Sequence, residues 1–179
     1  MTTSANPLPL PPSGGGREEG ATPVIQPTFA FLLAHPAHFL ALGFGAGLSP
    51  RAPGTVGTLV GFPLFWLLSG SPLYWAWIVL FLAVGVWACG VAGRALGVHD
   101  HGGLVWDEVA AFLLVLPAAP PTLAGYALAF ALFRLFDIWK PFPIAWIDAR
   151  VPGGFGVMLD DVLAAGYSIG VLMWLARWM

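Results

Sequence analysis

DEVAAFLLVLPAAPPTLAGYALAFALFRLFD, residues 107–137, holds two acids at one end, an Arg and an Asp near the other, and no Asp, Glu, Lys or Arg between. Its reading decides the fold. Pro117 and the pair Pro120-Pro121 interrupt the apolar run near its first third, and proline breaks a helix interior. A helix from Asp107 to Leu116 is ~15 Å long, roughly half a hydrocarbon core. A single broken span would put Asp107-Glu108 and Arg134-Asp137 on opposite faces of a membrane. A hairpin turning at Ala118-Ala119 would return Arg134 and Asp137 to the side where Asp107 began. Adjacent prolines make better turns than kinks, which favours the hairpin.

The rest of the chain repeats this pattern. Residues 55–93 and 162–176 also lack Asp, Glu, Lys and Arg, so the charges collect in 94–108, 134–150 and Asp160-Asp161. With 58% hydrophobic and 9% charged residues, the 179-residue chain lies outside the usual range of soluble domains. Its mean hydropathy of +0.81 agrees, and its 9 Trp and 13 Phe suit a bilayer interface. The expected fold is all-α, a polytopic membrane helical bundle built from hairpins with a loop-borne acidic cluster. A net charge of −2 leaves no basic footprint for nucleic acid. The single Cys89 excludes an intrachain disulfide, and a Cys-x5-Arg nucleophile fails because position 95 is Ala95. Residues 1–27 read as a disordered Pro/Gly-rich tail, not a secretory signal, and 28–179 as the membrane domain. No repeat period or heptad is visible.

Residues 28–42, interrupted by Pro36, are too short to span and should lie at the interface or pack on the bundle. His35 and His38 are read as packing residues. GFGAGLSPRAPGTVGT, residues 43–58, carries Ser49, Arg51 and Thr55 among five glycines. Exposed N–H groups before a helix can bind an anion; the same stretch can equally be a turn introducing the next helix. A dinucleotide fingerprint fails on spacing and on the lack of a preceding strand. Residues 57–69 and 73–93 form a second hairpin, turned at 69–72. Arg134 and Asp137, at i and i+3, share a helix face, and Pro141 and Pro143 stop that helix. Asp160 and Asp161 are placed as N-cap and first-turn acids of a last span, 162–178.

Two hairpins bring all three charged clusters to one face. That face holds Arg51, Arg94, Arg134, Lys140 and Arg150, with Arg177 at the far end, so the positive-inside rule makes it cytoplasmic. There Asp100, Asp107, Glu108, Asp137, Asp148, Asp160 and Asp161 meet the cations. Hard oxygen donors of this kind suit Mg²⁺ better than Zn²⁺, and Arg and Lys suit phosphate. The combination points to phosphoryl chemistry. The plainer alternative makes Arg134–Asp137 a helix-surface pair and Asp148 and Arg150 loop charges facing water.

GFGAGLSPRAPGTVGT, VHDHGGLVWDE, FRLFDIWKPFP and GGFGVMLDD, in that order, resemble the bacterial phosphatidylglycerophosphatase A family over roughly residues 35–178. The resemblance implies a Mg²⁺-dependent inner-membrane lipid phosphatase with an all-helical fold. Its substrate would be phosphatidylglycerophosphate, cleaved to phosphatidylglycerol and inorganic phosphate, with the acyl chains left in the bilayer. On this mapping Asp107, Glu108, Asp137 and Asp161 are the expected ligands of one or two Mg²⁺ ions. Arg134, Lys140 and Arg51 would hold the phosphate, with Ser49 and Thr55 near it. Asp100, His99 and Asp160 are the candidates for acid–base or nucleophilic work. A lipid-phosphate transferase would carry a DGxxAR motif, which is absent. A small transporter would place its carboxylates at mid-span rather than at helix ends.

Overall fold

The computed structural model describes residues 25–98 and 100–178. Most of the N-terminal tail and the candidate His99 lie outside them. The chain begins with two short helices, α1 (Phe29–Ala34) and α2 (Pro36–Ala41), followed by a 3₁₀ turn at Gly43–Leu48. The longer helices are α3 (Pro53–Leu68), α4 (Tyr74–Leu96), α5 (Trp106–Val115) and α6 (Leu123–Trp139). Helices α7 (Ile144–Asp148) and α8 (Gly153–Leu175) complete the bundle, and no strand occurs among the described residues.

The decisive stretch is a hairpin, as expected. Helix α5 ends in a 3₁₀ turn at Leu116–Ala118, the chain reverses through the prolines, and Thr122 caps α6 by accepting the Gly125 N–H at 3.0 Å. Helix α5 does not face a membrane. Residues 109–113 and Val115 are fully buried, enclosed by α3, α4, α6 and α8. A ten-residue helix that is apolar on every side is stable only inside such a cage. Its far end is tied to α4 by the Tyr74 hydroxyl, which donates to the Leu113 carbonyl at 2.6 Å. Near its start, the Trp106 indole N–H donates to the Phe81 carbonyl at 3.0 Å.

Helices α4 and α8 are each 23 residues long and apolar enough to cross a membrane. At ~34 Å they exceed the ~30 Å hydrocarbon core. Helix α3, with 16 residues, is short for a crossing. It begins at Pro53, four residues before the expected start, because proline suits the first helical position. Residues 28–42 pack on the bundle, with Ala37 and Ala41 fully buried. His35 Nδ1 accepts the Ala37 N–H, and His38 stacks on Phe31 at 3.9 Å while bonding its carbonyl. Both histidines are structural.

Two expectations are overturned. The acidic cluster is borne by helices rather than loops, with Asp107 and Glu108 in α5, Asp137 in α6 and Asp160 and Asp161 in α8. Asp160 and Asp161 are not at a helix start, because α8 begins at Gly153 with Pro152 as its N-cap residue. The glycines ahead of them, Gly153, Gly154 and Gly156, which lie before the expected span 162–178, belong to the helix and sit where α8 crosses α4. A Cβ on Gly154 would meet the Val86 carbonyl and stand 2.5 Å from Gly90 N. Backbones that approach this closely need small residues at the crossing. Both aspartates therefore sit two turns inside the helix, and both are buried.

Candidate active site

The first turns of α3 and α5, the last turns of α6 and the early turns of α8 meet at one end of the bundle. Arg134 joins two of these elements, α5 and α6. Its Nη1 donates to Glu108 Oε1 at 2.7 Å and lies 2.6 Å from Asp137 Oδ2, with all three side chains largely buried. The Glu108–Arg134 contact requires the α5–α6 hairpin; a single broken span would hold these groups apart. Arg134–Asp137 is thus more than a surface pair, since Glu108 of another helix shares the guanidinium.

Lys140 forms the second link. It takes a left-handed conformation (φ 45°) at the end of α6, which turns its side chain toward α8. Its Nζ donates to Asp160 Oδ2 at 2.6 Å and lies 3.1 Å from Asp148 Oδ2. Burial works to lower the pKa of this ammonium, but the hydrogen bonds and charges of Asp160 and Asp148 outweigh it and raise the value. Lys140 therefore stays charged. Asp148 faces this lysine rather than open water, while the Arg150 guanidinium stacks on Trp146 at 4.6 Å.

The cluster holds more acid than base. Asp161 lies within electrostatic reach of Asp137, Asp107, Asp160 and Glu108, and the charge of the exposed Asp100 acts on Asp107, Glu108 and Asp160. Four buried carboxylate oxygens have no hydrogen-bond partner among the described residues: Asp107 Oδ1, Glu108 Oε2, Asp160 Oδ1 and Asp161 Oδ2. Burying a carboxylate oxygen without a donor is costly, and a cation is the usual remedy. Among the described residues no three His, Cys, Asp or Glu side chains are grouped to hold a metal ion. Mg²⁺ does not require such a shell, since it keeps several waters and takes one or two carboxylates together with substrate phosphate. The all-oxygen donor set fits that ion.

The glycine-rich stretch reaches the cluster through its backbone. A Cβ on Gly54 would collide with Glu108 Oε1 and stand 3.0 Å from Arg134 Nη1. Sequence reading placed function in the polar side chains of this stretch and missed Gly54; the signal was a glycine in the first turn of an otherwise good helix. Arg51 is exposed and forms no ion pair with a described residue, and the Ser49 hydroxyl donates to the Arg51 carbonyl at 2.9 Å. Ser49 lines a separate polar pocket with His101, and Thr55 is half-buried one residue past Gly54. Of the expected phosphate-binding residues, Arg134 and Lys140 are in the cluster; Arg51 and Ser49 stand outside its ion pairs.

Gly54→Ala should lower kcat/KM for the phosphate ester by about 10²-fold, because the added methyl displaces Glu108 by the order of 1 Å. The thermal midpoint should change little, since alanine suits a helix better than glycine. Phosphate release and a melting curve on the same preparation check both halves. Full activity would mean that Glu108 can move aside without consequence.

Comparison with known proteins adds an independent line. A family model described as Phosphatidylglycerophosphatase A matches residues 39–176. The chain is 42% identical over 148 residues to Phosphatidylglycerophosphatase A of Escherichia coli (strain K12), covering 81% of this chain and 86% of that one. It is 45% identical over 152 residues to the Haemophilus influenzae protein of the same name, covering 82% and 93%. A Bacteroides thetaiotaomicron relative, 40% identical over 150 residues and covering 78% and 92%, is named, provisionally, a phosphatidylinositol-3-phosphatase. No solved structure matches.

Proposed function

The chain belongs to the phosphatidylglycerophosphatase A family, and from that membership we propose that it hydrolyses phosphatidylglycerophosphate to phosphatidylglycerol and inorganic phosphate. It is a phosphoric monoester hydrolase of phospholipid synthesis. The observation that carries the reading is the buried acidic cluster with Arg134 and Lys140 inside it, at one end of a bundle with two membrane-length helices. The protein is multi-pass in the inner membrane, with this end on the cytoplasmic side, supported by the cations gathered there.

Substrate phosphate would enter between the two cations. Arg134 Nε is buried without a partner among the described residues, so it has a donor to offer one phosphate oxygen. Lys140 pairs with two carboxylates and keeps a third N–H for another. Mg²⁺, held by one or two carboxylates drawn from Asp107, Glu108, Asp137 and Asp161, would neutralise phosphate charge and polarise the ester. Water attacks phosphorus in line, the bond to the glycerol oxygen breaks, and that oxygen takes a proton. Asp160, fixed by Lys140, and Asp100 at the rim are the described candidates for moving protons; His99 completes the set.

Phosphate release from phosphatidylglycerophosphate in detergent is the direct test, with Mg²⁺ and with EDTA. Release that requires the metal is expected. Phosphatidylinositol 3-phosphate, tested in parallel, should be a poor substrate; a reversed preference would move this chain toward the activity for which the Bacteroides relative is named. No release from either lipid by folded protein would sink the phosphatase reading.

A further inference from the structure

Below the acidic cluster, an open apolar groove of about 370 Å³ lies between α3 and α6, with Phe62 of α3 reaching Tyr126 and Phe130 of α6 at ring-centre distances of 6.3 and 6.4 Å. Leu59, Phe62 and Trp66 of α3 face Tyr126, Ala127 and Phe130 of α6 across it. Phe112 of α5 underlies it, meeting Phe62 edge-on at 5.2 Å and Phe130 edge-on at 6.1 Å. The groove shares its helices with the site. Phe112 is one turn past Glu108, Phe130 is one turn before Arg134, and Leu59 follows Gly54 by five residues. Each wall then continues for seven residues, or ~10 Å, away from the charged end.

We propose that this groove seats one acyl chain of the lipid whose phosphate is held by Arg134 and Lys140, so that chain and head group are bound together. The inference rests on the lipid-phosphatase reading. Its support is alignment: the groove starts one turn from the phosphate-binding residues and runs along the bundle in the direction a membrane lipid's chain must take. The lining is almost wholly apolar, and a cleft of this size with aromatic walls is typical of a ligand site. Elsewhere on the bundle, exposed apolar residues such as Val79 of α4 need only contact bulk lipid.

The test uses the full chain in phospholipid nanodiscs. One probe is a phosphonate analogue of phosphatidylglycerophosphate, resistant to hydrolysis, with a diazirine midway along an acyl chain. The other is phosphatidylcholine carrying the same chain. The phosphonate should crosslink to Trp66, Tyr126 or Phe130, and unlabelled substrate should compete; phosphatidylcholine should label the groove no more than it labels Val79. Equal groove labelling by phosphatidylcholine would reduce the groove to ordinary bilayer contact and overturn the proposal.

A kinetic arm uses Ala127→Trp, which fills the groove from an exposed position. KM for a soluble dioctanoyl substrate should rise about 10-fold, as expected when apolar pocket contacts are lost. The deacylated head group should be cleaved at an unchanged rate. An unchanged KM for the diacyl substrate, or equal losses on both substrates, would overturn the groove assignment. Wild-type protein that releases phosphate from neither would instead defeat the phosphatase reading, and so separates the two failures.

Discussion

Asp161→Asn should lose about 10²–10³-fold in phosphate release, the usual effect of removing one group that acts on transition-state charge. In metal-free buffer the same variant should melt at or above the wild-type temperature. The two effects share a cause. Asp161 is buried, one of its oxygens has no partner among the described residues, and Asp137, Asp107, Asp160 and Glu108 all act on it electrostatically. Converting it to an amide relieves like-charge repulsion in the absence of metal and also removes a proposed Mg²⁺ ligand. Added Mg²⁺ should stabilise the wild type by about 2.7 kcal/mol at a hundredfold excess over its dissociation constant, and the variant by much less. Differential scanning fluorimetry across a Mg²⁺ series, beside the activity assay, reads both effects. A variant that is inactive but melts lower without metal would show Asp161 to be structural, and retained activity would remove it from the site.

Arg134→Met should destabilise the protein by about 3–5 kcal/mol, the range for breaking a buried ion pair from one side. Methionine keeps the apolar stem but leaves Glu108 and Asp137 buried without their shared cation. Activity should fall with it, because the proposed phosphate donor is lost. Arg134→Lys separates these contributions. Its ammonium can still pair with the carboxylates and should restore part of the stability, but one point charge cannot reproduce the planar fork. Chemical unfolding and phosphate release on the three proteins give the comparison. A methionine variant as stable as wild type would mean that the carboxylates are held by something other than Arg134.

How much of this was legible beforehand varied with the kind of signal. The α5–α6 hairpin could be read because proline acts locally: it removes a donor and blocks helix wherever it stands. The gathering of charges at one end followed from that turn. The start of α8 could not be read this way. Gly153, Gly154 and Gly156 carry a weak helix propensity, and propensity is a prior that packing overrides. Here packing against Gly90 and Val86 turned this stretch into two turns of helix and carried Asp160 and Asp161 inside. Arg51 shows a different limit of sequence reading. Proximity in sequence to a glycine-rich turn suggested a phosphate contact, whereas the turn presents the backbone of Gly54 to Glu108 and leaves Arg51 exposed.

The amino-acid sequence by itself determined the all-helical character, the long apolar helices, the three charged clusters and the family. These depend on composition, short-range breakers and ordered motifs, all of which act within a few residues. The tertiary structure alone decided that α5 is the enclosed centre of the bundle, that Arg134 is shared by Glu108 and Asp137, and that Lys140 bridges Asp148 and Asp160. It also left a groove between α3 and α6. Each of these depends on the distance between helices far apart in the chain, which is set by side-chain volume and backbone approach rather than by any local preference.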